Sequence, residues 1–246
     1  MPADDGIFDE RIASTYDDPD DEMWTAAAID PVVEVLAGLA GDGRALEFAI
    51  GTGRIAVPLA ARGVPVVGIE LSKAMVARMR DKLGGAEIPV TIGDIATATV
   101  EGSFSVVFLV FNTIMNLTTQ AAQVACFRNA AAHLEPGGTF VIEVLIPDLR
   151  RLPPGEGHVV FAASPTHWGI DAYDVANQGL ISHHFTIGDG GIELDSMPFR
   201  YVWPAELDLM AEMAGMRLRD RWAGWNGEPF TSESRAHVSV WEKPAG

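Results

Sequence analysis

The stretch ALEFAIGTGRIAVPLA, residues 45–60, decides how the rest of the chain is read. Residues 45–50 are apolar apart from Glu47 and read as a buried strand, while 54–62 read as a helix that Gly63 ends. Between them Gly51 and Gly53 flank Thr52. Glycines thin the backbone there, so a ligand can approach the main chain closely and the dihedrals other residues avoid become accessible. A helix that starts just beyond offers unpaired N–H groups to a carboxylate or phosphate. This unit suits NAD, FAD and other cofactors alike, so the choice among them has to come from residues elsewhere.

Working outward, the same alternation repeats. A helix is expected upstream with Asp30 as its N-cap and Pro31 at its first position, closed by Gly41-Asp42-Gly43. Downstream, VPVVGIE (64–70) is a second strand, and Ser72 caps a helix to about Leu83, with Met75, Val76, Met79 and Leu83 on one side. EIPVTIG (87–93) and FSVVFLV (104–110) are the third and fourth strands. Thr118 or Thr119 starts a long helix to Leu134, Gly137-Gly138 breaks it, and TFVIEVLI (139–146) is the fifth strand. Strands apolar on both faces belong in a parallel sheet covered by helices. Right-handed crossovers place all their C-terminal ends on one edge, where doubly wound sheets bind ligands.

The rhythm breaks after Ile146. Residues 147–203 carry five prolines and strand-like pieces (HVVFAA, LISHHFTI, GIELDSMPFRYVW), with a hairpin signal at Gly188–Gly191. This predicts an inserted antiparallel β cap. PAELDLMAEMAG (204–215) and two final strands return to the core pattern. The organisation read from these shifts is an acidic N-terminal arm and lid (1–29), a cofactor-binding core (30–146), a cap that selects substrate (147–203), and a closing helix and β hairpin (204–246).

Composition narrows the function. With 17 Lys and Arg against 34 Asp and Glu, the chain carries a formal charge of −17 and has no basic cluster to hold a phosphate backbone or an anionic membrane surface. Nucleic acid and membrane partners are therefore not expected. No apolar run is long enough to span a bilayer, and the acidic start MPADDGIFDE does not read as a signal peptide. The single cysteine, Cys126, reads as a small buried apolar residue. Together these point to the cytoplasm. No HExxH, CxxC or His–carboxylate spacing suggests a metal.

Two acidic strand ends discriminate among cofactors. Glu70 closes the second strand, where a carboxylate can accept from both ribose hydroxyls. Asp94, in Gly93-Asp94-Ile95 after the third, can accept from an exocyclic adenine amine with Ile95 beside the ring. A dinucleotide fingerprint would have glycine at Ala56, and no second nucleotide half follows.

Taken in order, ALEFAIGTGRIAVPLA, VVGIELS, TIGDIAT and LEPGGTFVIEV resemble the class I S-adenosylmethionine-dependent methyltransferases, small-molecule type. The resemblance covers about residues 30–146. It implies a Rossmann-like, mostly parallel seven-stranded sheet and S-adenosylmethionine as cofactor. It implies that Glu47, Ala49, Gly51 and Gly53 line the methionine and ribose side. Glu70 with Leu71 would hold the ribose, Asp94 with Ile95 the adenine. Phe111, in Val110–Thr113, would lie beneath the methionine amine, and Tyr16 of the arm would close over the cofactor. Ala49 departs from a common family glycine.

Methyl transfer from a sulfonium is an in-line displacement that depends mostly on holding an N or O acceptor in line; an amine acceptor needs only to be neutral, whereas a hydroxyl usually needs a base or a metal. In the cap, His183, His184 and His167 are the base candidates. Asn116, Trp168, Arg200 and Tyr201 are candidates for binding a small-molecule substrate. Trp203, Trp222 and Trp225 could join Trp168 in an apolar pocket, and the cap offers a surface for homodimer formation. His133, at a helix end where a cation suits the dipole, reads as structural. The alternatives are a nucleotide-dependent oxidoreductase and a cofactor-fold binding or scaffold protein without turnover.

Overall fold

The computed structural model describes residues 8–18, 21–188 and 190–245. The acidic positions Asp4, Asp5 and Asp20 of the arm, and Asp189 in the hairpin, lie outside the described residues. The core begins with α2 (Ala26–Ala40), preceded in the arm by the short α1 (Glu10–Ala13). It continues through β1 (Ala45–Phe48), α3 (Ala56–Ala61), β2 (Val66–Glu70), α4 (Lys73–Arg80), β3 (Val90–Ile92), β4 (Phe104–Leu109), α5 (Gln120–His133) and β5 (Leu134–Leu145). The cap comprises β6 (His158–Ala163), β7 (His167–Asp174), β8 (Gly179–Gly188) and β9 (Gly191–Arg200), and α6 (Pro204–Met213), β10 (Arg217–Trp222) and β11 (Ala236–Glu242) close the core.

The strands form a seven-stranded sheet of order β10-β11-β5-β4-β1-β2-β3 and a separate four-stranded sheet of order β6-β7-β8-β9. β1 to β5 are parallel, and only β11 runs antiparallel to both its neighbours. The expected fold class is therefore the observed one. Two cores fill the two sides of the large sheet. On one, α5 and α6 bury Phe127, Phe140 and Trp241, with ring centroids 5.1 and 5.3 Å from Phe127 to the other two. On the other, Val32, Val33 and Leu36 of α2 pack with Leu59, Val106 and Val141.

Several element ends differ from the sequence expectation. Thr25, not Asp30, caps α2: its hydroxyl accepts the Ala28 N–H, worth about 1 kcal/mol, and Pro31 sits inside the helix. α4 stops at Arg80, and Leu83 is 98% exposed beyond it rather than on the buried side. β5 starts at Leu134, because Gly137 and Gly138 pair with Lys243 along the sheet edge instead of only breaking the helix. Thr119 caps α5 and Ser72 caps α4. His133 is structural by another route than charge. Its Nε2 accepts the Val100 N–H at 3.0 Å while Nδ1 lies 2.8 Å from Asn129 O, so one tautomer stitches α5 to the chain before β4.

The cap's register sorts its side chains into two faces. Val159, Asp171, Tyr173, Leu180, Ser182, His184, Met197 and Phe199 share one face by strand pairing. Leu180 is buried in the α5–α6 core, and Tyr173 and Phe199 pack on it. This is the inner face. Trp168, Ile170, Ile181, His183, Phe185 and Leu194 share the outer one. At the root Arg200, 6% exposed, donates to Gln123 of α5, to Gln178 at 3.2 Å and to Glu206 of α6 at 2.8 Å. Burial alone would raise the Glu206 carboxyl, but hydrogen bonds from Arg200, Gln178 and Gln120 outweigh it and hold it below its ordinary range.

Candidate active site at the C-terminal edge of the sheet

The loop after β1 places four features on the sheet's C-terminal edge. Glu47 is 3% exposed, receives a hydrogen bond from the Ala56 N–H, and leaves Oε2 without a partner. Burial pushes its carboxyl well above the ordinary range, against the pull of Arg54 and the Ala56 N–H. Because Ala56 N–H is spent on Glu47, the six-residue α3 is not the anion site its position suggested. Ala49 keeps the left-handed backbone (φ 54°) that its family glycine would take without strain. Gly51 (φ 57°) and Gly53 (φ 77°) follow. A Cβ on Gly53 would lie 2.6 Å from Met79 Cγ and 2.9 Å from Val57 Cγ2, so glycine there serves close helix packing as well as the turn.

Glu70, 6% exposed at the end of β2, accepts the Gly51 N–H at 2.8 Å on Oε2 and the Ser72 N–H at 2.9 Å on Oε1. One carboxylate thereby ties the glycine loop to the start of α4. Leu71 beside it is 39% exposed. Asp94 is exposed after β3 and accepts the Ala96 N–H at 2.8 Å. Ile95 is turned into the core at 7% exposure, so at this edge it offers little more than its main chain. Asn129 of α5 anchors the turn by donating to Ile95 O at 2.8 Å and Ala98 O at 2.9 Å.

After β4 the chain takes two successive left-handed residues, Phe111 (φ 57°) and Asn112 (φ 62°). Such conformations persist where surroundings enforce them, and they gather at functional sites. Here Glu143 of β5 accepts the Phe111 N–H at 3.0 Å, while Asn112 Oδ1 accepts the Leu145 N–H at 2.7 Å. The strain turns Phe111 outward, 44% exposed, with the Arg54 guanidinium 5.0 Å from its ring. Arg54 also donates to Met23 O at 3.2 Å. Sequence reasoning passed over Arg54; a lone cation beside the second glycine of the loop was the available signal.

The arm lies across this edge. Phe8, Tyr16 and Trp24 pack edge to face with centroids 6.1 and 6.2 Å apart, and burial raises the Tyr16 phenol. Asp17 accepts from the Thr52 hydroxyl at 2.6 Å and pairs with Lys82 at 2.7 Å, while Ser72 Oγ donates to Phe8 O at 2.5 Å. Arg11 reaches Asp195 of β9 at 2.8 Å, which joins arm to cap. Residues 8–18 are thus held by specific polar contacts to the glycine loop, to α4 and to the cap.

The cap's inner face roofs the edge from this arm contact to Asp148, the residue two beyond Ile146, whose main-chain N–H donates to the Tyr173 phenol oxygen. His184 Nδ1 lies 3.1 Å from His167 Nε2 with the rings stacked, and His184 Nε2 lies 3.3 Å from Ser182 Oγ. Of the substrate and base candidates, His184 and His167 come together. His183 does not: strand alternation sends it to the outer face, where it meets Ser196 Oγ at 2.8 Å. Trp168 shares that outer face for the same reason, 46% exposed. Arg200 spends its donors on the root cluster, and Tyr201 is buried at 2% in the core, so neither is presented to a substrate. Trp222 and Trp225 pack beside α2 and Trp203 precedes α6, so the four tryptophans form no common pocket. Asn116 is half-buried in the turn after β4. Among the described residues there is no metal-holding group of three His, Cys, Asp or Glu, and no helix is long and apolar enough to cross a membrane.

The C-terminal edge thus gathers a glycine loop, acidic ends on two neighbouring strands and a buried carboxyl with one oxygen left without a partner, and comparison with known proteins gives the class of the chain. A family model described as a methyltransferase domain matches residues 45–138. The CcbJ methyltransferase from Streptomyces caelestis is 36% identical, with 98% of this chain and 100% of that one covered and a TM-score of 0.84. The cypemycin N-terminal methyltransferase of Streptomyces sp is 26% identical over 98% of this chain and 99% of its own. CalS10 from Micromonospora echinaspora, an amino pentose methyltransferase solved with S-adenosylmethionine bound, shares the fold at a TM-score of 0.65 and 24% identity, covering 89% and 91%. The chain belongs to the class I S-adenosylmethionine-dependent methyltransferases. Its cofactor is S-adenosylmethionine, which sets aside the oxidoreductase and scaffold readings.

Proposed function

We propose that this enzyme methylates an amine nitrogen on a small molecule or a peptide N-terminus. The observation that carries the reading is the roof: the sheet edge is covered by a cap face bearing paired histidines and carboxylates, a setting that suits an ammonium group and its deprotonation. Relatives that act on an amino sugar or a peptide N-terminus support it. When bound, S-adenosylmethionine supplies a methyl on sulfur: the acceptor's lone pair forms the N–C bond while the C–S pair returns to sulfur, leaving a neutral thioether.

The residues do the positioning. Glu47 Oε2, buried and lacking a donor, receives the methionine ammonium, and Arg54 faces the methionine carboxylate. Glu70 accepts from the ribose hydroxyls with Leu71 against the sugar. Asp94 accepts from the adenine amine, and the Ile95 main chain lines that end. Ala49, Gly51 and Gly53 let the ligand rest on backbone. Phe111 floors the methyl region, Asn116 borders the acceptor side, and Tyr16 closes the arm over both. Excluding water favours a step in which charge disperses.

The test is incubation with methyl-labelled S-adenosylmethionine and matched amine and alcohol acceptors, including an amino sugar and an alanyl peptide. N-methyl products are expected; label found only on oxygen or carbon would overturn the assignment. A formal net charge of −17 disfavours phosphate-backbone and anionic-membrane partners, and we place the enzyme in the cytoplasm.

We also infer that a second copy covers the cap's outer face. That face holds Trp168, Ile170, Ile181, Phe185, Ile192 and Leu194, and among the described residues of its strands the one acid, Asp174, lies at an end. In a chain with 34 acidic residues so uncharged a surface is out of character. Its area, on the order of 600 Å² for four strands of this length, approaches the ~800 Å² each partner of a stable pair buries. Light scattering of wild type and Leu194→Asp checks it: a dimer that becomes monomeric is expected, and a wild-type monomer at micromolar concentration refutes it.

A further inference from the structure

We propose that Asp171, Ser182, His184 and His167 form a proton relay on the cap's inner face that deprotonates an ammonium acceptor. The inference rests on the N-methylation reading above. An ammonium nitrogen has no lone pair, so it cannot attack the methyl until a proton is removed.

The four groups lie in one line across β7 and β8. Asp171 and Ser182 are directly paired residues, and the Ser182 hydroxyl hydrogen-bonds the carboxylate. Ser182 Oγ is 3.3 Å from His184 Nε2, and His184 Nδ1 is 3.1 Å from His167 Nε2. One arrangement of protons satisfies every contact. His167 Nε2–H donates to His184 Nδ1, His184 Nε2–H to Ser182 Oγ, and Ser182 Oγ–H to Asp171. All donors then point toward the carboxylate, and His167 Nδ1 is left as an acceptor with no partner among the described residues.

A proton entering at that end can move the whole line by one place. The acceptor N–H bond breaks, its electron pair stays on nitrogen, and an N–H bond forms at His167 Nδ1. The His167 Nε2 proton passes to His184, the His184 Nε2 proton to Ser182, and the Ser182 proton to Asp171. One proton has left the ammonium and one has reached the carboxylate, so a cation and an anion are both neutralised inside a partly buried site.

The surroundings favour that exchange. Burial raises the Asp171 carboxyl, despite the Ser182 hydrogen bond and His184, so it takes up a proton readily. Burial and then His167 hold the His184 ring below its ordinary range, which keeps it uncharged and able to pass a proton on. From the neighbouring elements His184 meets Asp195 of β9, which Arg11 of the arm neutralises, and the Phe161 ring at 5.3 Å; Glu193 and Asp148 stand further out.

The experiment follows the histidine ring signals by NMR between pH 5 and 9, with S-adenosylhomocysteine present and alaninamide added as the amine probe. His167 and His184 are expected to titrate as a coupled pair and to shift on adding alaninamide, while the His237 signal stays put. In Asp171→Asn the alaninamide affinity should fall about tenfold and the coupled titration should separate. Ser182→Ala cuts the line in its middle and should separate the titrations while leaving the fold intact. Signals that ignore alaninamide, or that respond alike in wild type and Asp171→Asn, overturn the relay. Calorimetry with S-adenosylhomocysteine runs alongside: tight binding in all three proteins with no amine response refutes the relay alone, whereas no binding to wild type refutes the cofactor site.

Discussion

The large parallel sheet and the small antiparallel one solve opposite problems. In the core, strands are buried on both faces, so ligand chemistry is confined to their ends; Glu70 and Asp94 both sit where a strand stops. In the cap each strand has an inner and an outer face, so chemistry is written on every second residue. His183 and His184 are neighbours in sequence and face away from each other. A core of this kind announces its site as short motifs, whereas a cap hides it until one knows which face looks inward.

That contrast can be broken at several points. The largest effect is expected from Gly53→Val, which forces a Cβ against Met79 and Val57 at positive φ. A loss of about 4 kcal/mol in urea unfolding and no detectable S-adenosylhomocysteine binding are predicted. Arg200→Met tests the joint between the two sheets. It strands Glu206, Gln178 and Gln123 at a buried site and should cost about 3 kcal/mol, with hydrogen exchange accelerating in β8 and β9 before the core. Should the two regions open together, the cap is not a separate unit.

Acid sharpens the comparison from the core side. His237 is fully buried on β11, its Nδ1 2.7 Å from Ser239 Oγ, and burial followed by Arg221 lowers it from 6.5 to about 4. The unfolded chain binds that proton first. Stability is therefore lost as pH falls from 6.5 toward 4 and levels off below, by about 3 kcal/mol in all. His237→Asn should flatten this part of the pH curve, as read by thermal melts. Glu47 has the opposite sense: its raised carboxyl makes stability decline as pH rises above 4.5. Glu47→Gln should raise the apo melting temperature at pH 8 while weakening S-adenosylmethionine about tenfold, the 1.4 kcal/mol of one charge-assisted hydrogen bond. Smallest is Arg11→Ala. Its pair with Asp195 is exposed and screened by solvent, so only faster proteolysis of the arm should register.

How much of this was legible follows the same divide. The succession of core strands, and the acidic residues that stand at their ends, could be read because burial on both faces leaves long apolar runs punctuated where they stop. The face that Trp168 takes was not legible because a one-residue step in a two-faced strand reverses a side chain, and an aromatic's size says nothing about direction. The partners of Arg200 were not legible because an arginine beside aromatics looks the same in sequence whether it meets a ligand or, as here, Gln123 and Glu206. Asp171 and Ser182 went unnoticed since their meaning lies in cross-strand pairing. Ser72 and Thr119 were correct as caps because capping is local; the length of α2 was not, since Thr25 competed with Asp30 and won.

The cap leaves the sheet after β5 and returns at α6, so both crossings sit at one corner, and the glycine loop takes no residue from it. Such an attachment behaves as an exchangeable cassette. Transplanting another four-stranded roof between Ile146 and Pro204 would alter which guest is accepted while the machinery for handling the methyl donor stayed in place. Selection could thus diversify clientele along one stretch of gene while holding the rest constant.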